Sequence, residues 1–174
     1  MCSHGYFALL QHSCGISHAS LALTRSFRPH ISQGGRHGCS AFLATSPLSC
    51  VGVWLAVEDA TVDNGCLFVA PDSHRRGVAH RMTRDGAGSV HWPTGRPDYS
   101  EHRLEPLETP QGTLVLLHGS NVHGSNANTS PVSRHAYSMH VVEGAPGWQW
   151  LPDNWLQRPA ALPFEPLFEP VAAA

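Results

Sequence analysis

The 174-residue sequence predicts an all-β domain of sandwich or barrel type. Three observations predict it. From residue 50 onward the apolar residues come in short β-branched and aromatic runs. Turn-forming residues close these runs. No segment after residue 50 carries a convincing helical period. The first run, "CVGVWLAV" (50–57), reads as a strand. "DNG" (63–65) signals a hairpin, because Asn-Gly accepts positive φ at low cost. "CLFVA" (66–70) is then a second strand, stopped by Pro71. Residues 72–110 are polar and read as a long loop with short strands. "GTLVLLHG" (112–119) is the next strand, ended by Gly119, and "RHAYSMHVV" (134–142) is another, opened by Arg134. The tail from Gly144 holds six prolines and Trp148, Trp150 and Trp155, and is expected to cross the domain as irregular chain.

Composition narrows the function. With 11 basic and 13 acidic residues the chain has no electrostatic footprint for nucleic acid and no basic stripe for a membrane surface. All the basic residues are arginine, which removes lysine nucleophile and Schiff-base chemistry. No apolar run approaches the ~18 residues of a membrane helix. The five cysteines (Cys2, Cys14, Cys39, Cys50, Cys66) lack framework spacing and read as reduced thiols. The expected compartment is therefore the cytoplasm. Organelle import is the alternative, because every acidic residue lies at or after Glu58 and the Ser-rich start carries Arg25, Arg28 and Arg36. Residues 1–35 are expected to be an atypical start, poorly structured or non-native, and residues 36–174 a partial domain. Asn128-Thr129-Ser130 matches a glycosylation sequon with no secretory signal before it.

Chemistry-bearing residues concentrate in "VLLHGSNVHGSNANTSPVSRHAYSMH" (115–140). His123 sits in a polar loop after a strand, and Arg134 follows eleven residues later. Loops on a rigid β scaffold are where ligands usually reside. An imidazole suits a metal, and a guanidinium clamps a carboxylate with two parallel hydrogen bonds. The competing reading is structural: the chain has 13 histidines, and Arg134 could form a surface ion pair with Glu143. His118, His135 and His140 compete as ligands. His135 and His140 are an odd number of residues apart, so they point to opposite faces of a strand and cannot share one site. Ser120 and His123 are close without a G-x-S-x-G elbow, which argues against a serine hydrolase. Cys2, His4, His12 and Cys14 are ligand types without a standard zinc spacing.

Residues 52–74, "GVWLAVEDATVDNGCLFVAPDSH", closely resemble the phytanoyl-CoA dioxygenase family. That family's pattern reads roughly G-x-W-x-A-x-E-D-A-T-x-x-N-G-C-L followed by P-x-S-H, and each quoted position is met. "QGTLVLLHGSNVHGSN", "SRHAYSMHVVEG" and "WLPDNWLQRPAALPF" are similar to the family's later segments. The resemblance implies a double-stranded β-helix, a jelly roll, here incomplete on its N-terminal side. An incomplete sheet leaves open edges and exposed apolar faces. It also implies Fe(II), 2-oxoglutarate and O2, with ascorbate as an optional reductant, acting on a small-molecule substrate. In this family two histidines and a carboxylate hold the iron. By this resemblance His123 matches the second histidine and Arg134 the arginine that binds the distal carboxylate of 2-oxoglutarate. Trp54 and Ser138 match residues lining the cosubstrate pocket.

The first histidine and the carboxylate come in the family as H-x-D, ahead of a segment like "FLATSPLS" (42–49). Counting back from Phe42 places His37 at the first ligand and Cys39 where the aspartate stands. A thiolate is anionic and can bind iron, but it is softer, with a longer bond, and open to oxidation. "RHGCSAFL" (36–43) therefore has three readings: a degraded H-x-D in a non-catalytic relative, a His/Cys variant site, or an altered N-terminus with His37 in register by chance. The function implied is an Fe(II)- and 2-oxoglutarate-dependent dioxygenase hydroxylating a small organic or acyl-CoA substrate. The alternative is a non-catalytic relative that binds 2-oxoglutarate or metal.

Overall fold

The computed structural model describes residues 19–22, 41–95, 98–161 and 163–166. These are nearly all β, with one 3₁₀ turn at Ser73–Arg76. The larger sheet contains β1 (Ala19–Ala22), β3 (Val51–Ala56), β8 (Leu114–His118), β10 (Ala136–Glu143) and β12 (Glu165–Pro166) in the order β12-β1-β10-β3-β8. The smaller contains β4 (Leu67–Val69), β7 (Glu105–Leu107) and β9 (His123–Ser125), with β4 central. All of these pairs are antiparallel. Two ribbons complete the set: β2 (Thr45–Ser46) with β11 (Gln149–Trp150), and β5 (Thr83–Arg84) with β6 (Val90–His91).

The two sheets face each other across one apolar core. Trp54 and Ala56 from β3 and Leu117 from β8 meet Leu67 and Val69 from β4 and Leu107 from β7. Period-two alternation explains the choice: Trp54 and Ala56 point inward, whereas Val53 and Leu55 point out. A second cluster, Leu43, Cys50 and Val142 with Trp150, Trp155 and Leu156, closes one end. There Asn154, wholly buried, accepts the Ala44 N–H through Oδ1 at 3.0 Å and donates Nδ2 to the Ala44 carbonyl at 2.7 Å. It ties the tail to the segment carrying Phe42. On the outer face, β8 is the sheet edge among the described residues, and Leu114 and Leu116 are exposed there.

Four sequence expectations change. "DNG" makes no hairpin: β3 and β4 lie in different sheets, so the turn carries the chain across the core. Asn64 stabilises that crossing with its side chain, accepting the Thr61 N–H at 2.7 Å and donating to the carbonyls of Asp59 and Ser133. Gly65 is required next, at φ +90°, where a Cβ would stand 2.9 Å from the Asn126 carbonyl oxygen. Arg134 does not open a strand; β10 begins at Ala136. His123 is not in the loop but begins β9. The tail is not wholly irregular, since it contributes β11 and β12. Strand β1 falls within residues 1–35, and the rest of that stretch lies outside the described residues. No helix among the described residues is long and apolar enough to cross a membrane.

Candidate functional site

A cavity of about 240 Å³ lies between the two sheets. Strand register builds it. On the larger sheet Ser138 pairs with Trp54, and Gly52 pairs with both His140 and Leu117. Gly52 has no side chain to fill the space between those two neighbours, so the wall opens there. Leu67 of β4 and His123 of β9 close it from the smaller sheet, and Phe42 contributes from the segment before β2.

His123 enters through the pairing of β9 with β4, opposite Val69. Its Nδ1 is 2.8 Å from the Asn121 carbonyl oxygen. A carbonyl can only accept, so Nδ1 carries the proton and Nε2 is the deprotonated nitrogen, the form in which an imidazole binds a metal. Burial lowers the pKa of this ring, partly offset by the Asn121 bond. His140, two residues beyond Ser138 on the same face of β10, is pushed down to about 4, first by burial and then by the field of His123.

That depression has a stability consequence in the metal-free chain. The folded value lies below the unfolded one, so the unfolded chain takes up the proton first as pH falls. His140 costs nothing above its unfolded pKa of 6.5; on acidification toward 4 about 3 kcal/mol is lost in full. His123 shifts in the same direction. Urea melts across this range are expected to show the loss, and His140→Asn to flatten it. An unchanged profile in the variant counts against the buried neutral ring.

Arg134 lies beside the cavity with its Cζ 6.0 Å from the centroid of the Trp54 ring. Its Nε is buried with no hydrogen-bond partner among the described residues. Burial lowers the guanidinium pKa, opposed by the neighbouring Cys66, whose own thiol burial pushes up. The expected ion pair with Glu143 is not formed. That residue ends β10, nine residues on and roughly 30 Å along an extended strand. Instead the residues flanking Arg134 are held by Glu58, which accepts the His135 N–H at 2.7 Å, His135 Nδ1 at 2.8 Å and the Ser133 hydroxyl at 2.9 Å. The His135 N–H, then its ring, holds the Glu58 carboxyl below the usual range.

Of the sequence-proposed residues, the cavity therefore unites His123, Trp54 and Ser138, with Arg134 against its Trp54 wall. His37 and Cys39 lie outside the described residues, as do Cys2, His4, His12 and Cys14. His135 points away to Glu58, and His118 packs against His74 with ring centroids 5.2 Å apart. His140 belongs to the cavity and was readable: the alternation that brings Ser138 inward brings His140 with it.

The residues fit the cosubstrate better than they complete a metal set. A buried guanidinium nitrogen without a partner, beside the Trp54 wall of the cavity, suits a carboxylate. Among the described residues two imidazoles face the cavity, no carboxylate lines it, and no three His, Cys, Asp or Glu side chains come together to hold a metal.

Residues 22–136 match the family model for phytanoyl-CoA dioxygenase (PhyH). The chain belongs to that family. It is 47% identical over 133 residues to phytanoyl-CoA dioxygenase 1 of Oryza sativa subsp. japonica, covering 76% of this chain and 46% of that one. It is 45% identical over 148 residues to phytanoyl-CoA dioxygenase domain-containing protein 1 of Bos taurus, covering 81% and 50%. The chain thus spans about half the length of the curated relatives it matches. Among solved structures, it is similar to the non-heme alpha ketoglutarate dependent carbocyclase SnoK (TM-score 0.55, 28% identity, 68% of this chain and 46% of that one). The epimerase SnoN, solved with Fe3+ and alpha ketoglutarate, shares the fold (TM-score 0.57, 18% identity, 88% and 64%). The facing sheets described above are part of this family's jelly roll.

Proposed function

We propose that this chain carries the cosubstrate side of an Fe(II)- and 2-oxoglutarate-dependent dioxygenase that hydroxylates a small organic or acyl-CoA substrate. The partnerless Nε of Arg134, buried beside Trp54 of a cavity that His123 also lines, carries this reading. Arg134 receives the distal carboxylate of 2-oxoglutarate in its fork. Trp54 lies beside the guanidinium as a cation–π neighbour, and Ser138 offers a hydroxyl to the cosubstrate. His123 would hold the iron with His37, and Cys39 at the third position. Bound iron would supply the O2 activation that couples 2-oxoglutarate decarboxylation to C–H hydroxylation. Leu67, Leu117 and Phe42 give the cavity an apolar lining, which strengthens polar contacts made against it.

The test is turnover without a prime substrate: succinate release measured with Fe(II), 2-oxoglutarate and ascorbate in air. Release that an iron chelator abolishes is the expected result. No release, together with no calorimetric binding of 2-oxoglutarate, sinks the proposal. The second reading is a non-catalytic relative that binds 2-oxoglutarate. Cys39 standing where the family has aspartate favours it, and it predicts binding without release.

A further inference from the structure

The "PDSH" segment (71–74) matches a family motif, yet the reading above gives it no task. It forms the bend after β4, and Ser73 within it is buried. A hydroxyl has one hydrogen to donate and two lone pairs. Ser73 uses all three. It donates to the Ala70 carbonyl at 2.8 Å, and accepts the Val122 N–H at 2.8 Å and Asn121 Nδ2 at 3.1 Å. Asn121 Nδ2 also donates to the Ala70 carbonyl at 2.9 Å, and the Ala70 N–H donates to the Val122 carbonyl at 2.8 Å. The exit of β4 and the entry to β9 are thereby joined by buried bonds.

One of these bonds differs in kind from the rest. The Val122 N–H and the Asn121 C=O belong to a single peptide unit. That unit is planar and trans, so its N–H and C=O point in opposite directions. Ser73 Oγ holds the N–H end. His123 Nδ1 donates to the C=O end, at 2.8 Å. Rotation of this peptide plane would break both bonds at once. We infer that Ser73 is a positioning residue for His123: by fixing the Asn121–Val122 peptide it keeps the ring in the Nδ1–H tautomer and turns Nε2 to the cavity. The inference rests on the reading of His123 as a ligand, and it assigns Ser73 and the 71–74 bend to the outer support of that ligand.

The test needs no metal, so its failure is separable from failure of the dioxygenase reading. Long-range 1H–15N NMR of the uniformly labelled chain at about pH 8, where the rings are neutral, reads the tautomer of each histidine. The His123 signals are those missing in His123→Gln. The wild-type chain is expected to show His123 as the Nδ1–H tautomer alone. Ser73→Ala is expected to introduce an Nε2–H population large enough to move both ring nitrogens toward averaged shifts, and Ser73→Thr, which keeps the hydroxyl, to restore the wild-type pattern. Asn121→Ala removes the side-chain bonds but leaves the Ser73–peptide bond, and is expected to lower the melting temperature without moving the tautomer. If Ser73→Ala does not fold, Ser73→Cys, a weaker acceptor, should itself show an Nε2–H population absent from the wild type, and a folded Ser73→Cys with the wild-type tautomer overturns the inference. A folded Ser73→Ala with an unmoved tautomer, or an Asn121→Ala shift as large as that of Ser73→Ala, overturns the inference.

Discussion

Replacing Arg134 by methionine is expected to weaken 2-oxoglutarate binding by roughly 30-fold or more. Truncating one partner of a buried, hydrogen-bonded charge pair costs about 2–5 kcal/mol, and 2 kcal/mol is already about 30-fold in affinity. The site makes that range applicable. Arg134 is half-buried, its Nε has no partner among the described residues, and its Cζ lies 6.0 Å from the Trp54 ring centroid. A second sign separates this role from a structural one. Without ligand, the buried Nε is an unmet donor, and such a group costs free energy. Arg134→Met is therefore expected to hold or raise the melting temperature of the ligand-free chain while its 2-oxoglutarate affinity falls. Lysine keeps the charge but loses the planar fork, so Arg134→Lys should recover little of the binding. Calorimetry with melting curves decides it. A methionine variant that melts much lower yet binds normally would make Arg134 a structural residue.

The parts of this fold that were legible are those where local pattern and tertiary pairing agree. Strands β3, β8 and β10 are long, apolar and alternating, and their sequence runs locate them within a residue or two. Strand β9 was not legible. Its residues, His123, Gly124 and Ser125, have no strand preference of their own, and their state comes from pairing with β4, more than fifty residues earlier. The Asn64-Gly65 bend was legible as a bend but not as a crossing. The pattern cannot tell which sheet the next strand joins, and the deciding bonds run from Asn64 to Ser133, distant in sequence. In the site, the family motifs located His123, Trp54 and Ser138, whereas the Ser73 contact to the peptide before His123 exists only once β4 and β9 have met.

Changing Cys39 to aspartate is expected to raise 2-oxoglutarate-dependent succinate release by a factor on the order of 10 or more. Changes in outer support alone move metal affinity or activity roughly 10–100-fold, and a ligand should matter at least as much. By the register of His37 with the family motif, aspartate at 39 would bring a hard oxygen anion to a cavity whose lining, among the described residues, offers imidazole and a hydroxyl but no carboxylate. It also removes a thiol that O2 chemistry beside it would oxidise. The three readings of "RHGCSAFL" part at this point. A large gain means that the jelly roll is competent and that the cysteine limits it. If both forms are silent while Arg134→Met still lowers 2-oxoglutarate affinity, the chain is a cosubstrate-binding relative without turnover. If the wild-type chain releases succinate and the aspartate leaves that rate unchanged, residue 39 does not reach the metal, and the register of His37 with the family motif is coincidence.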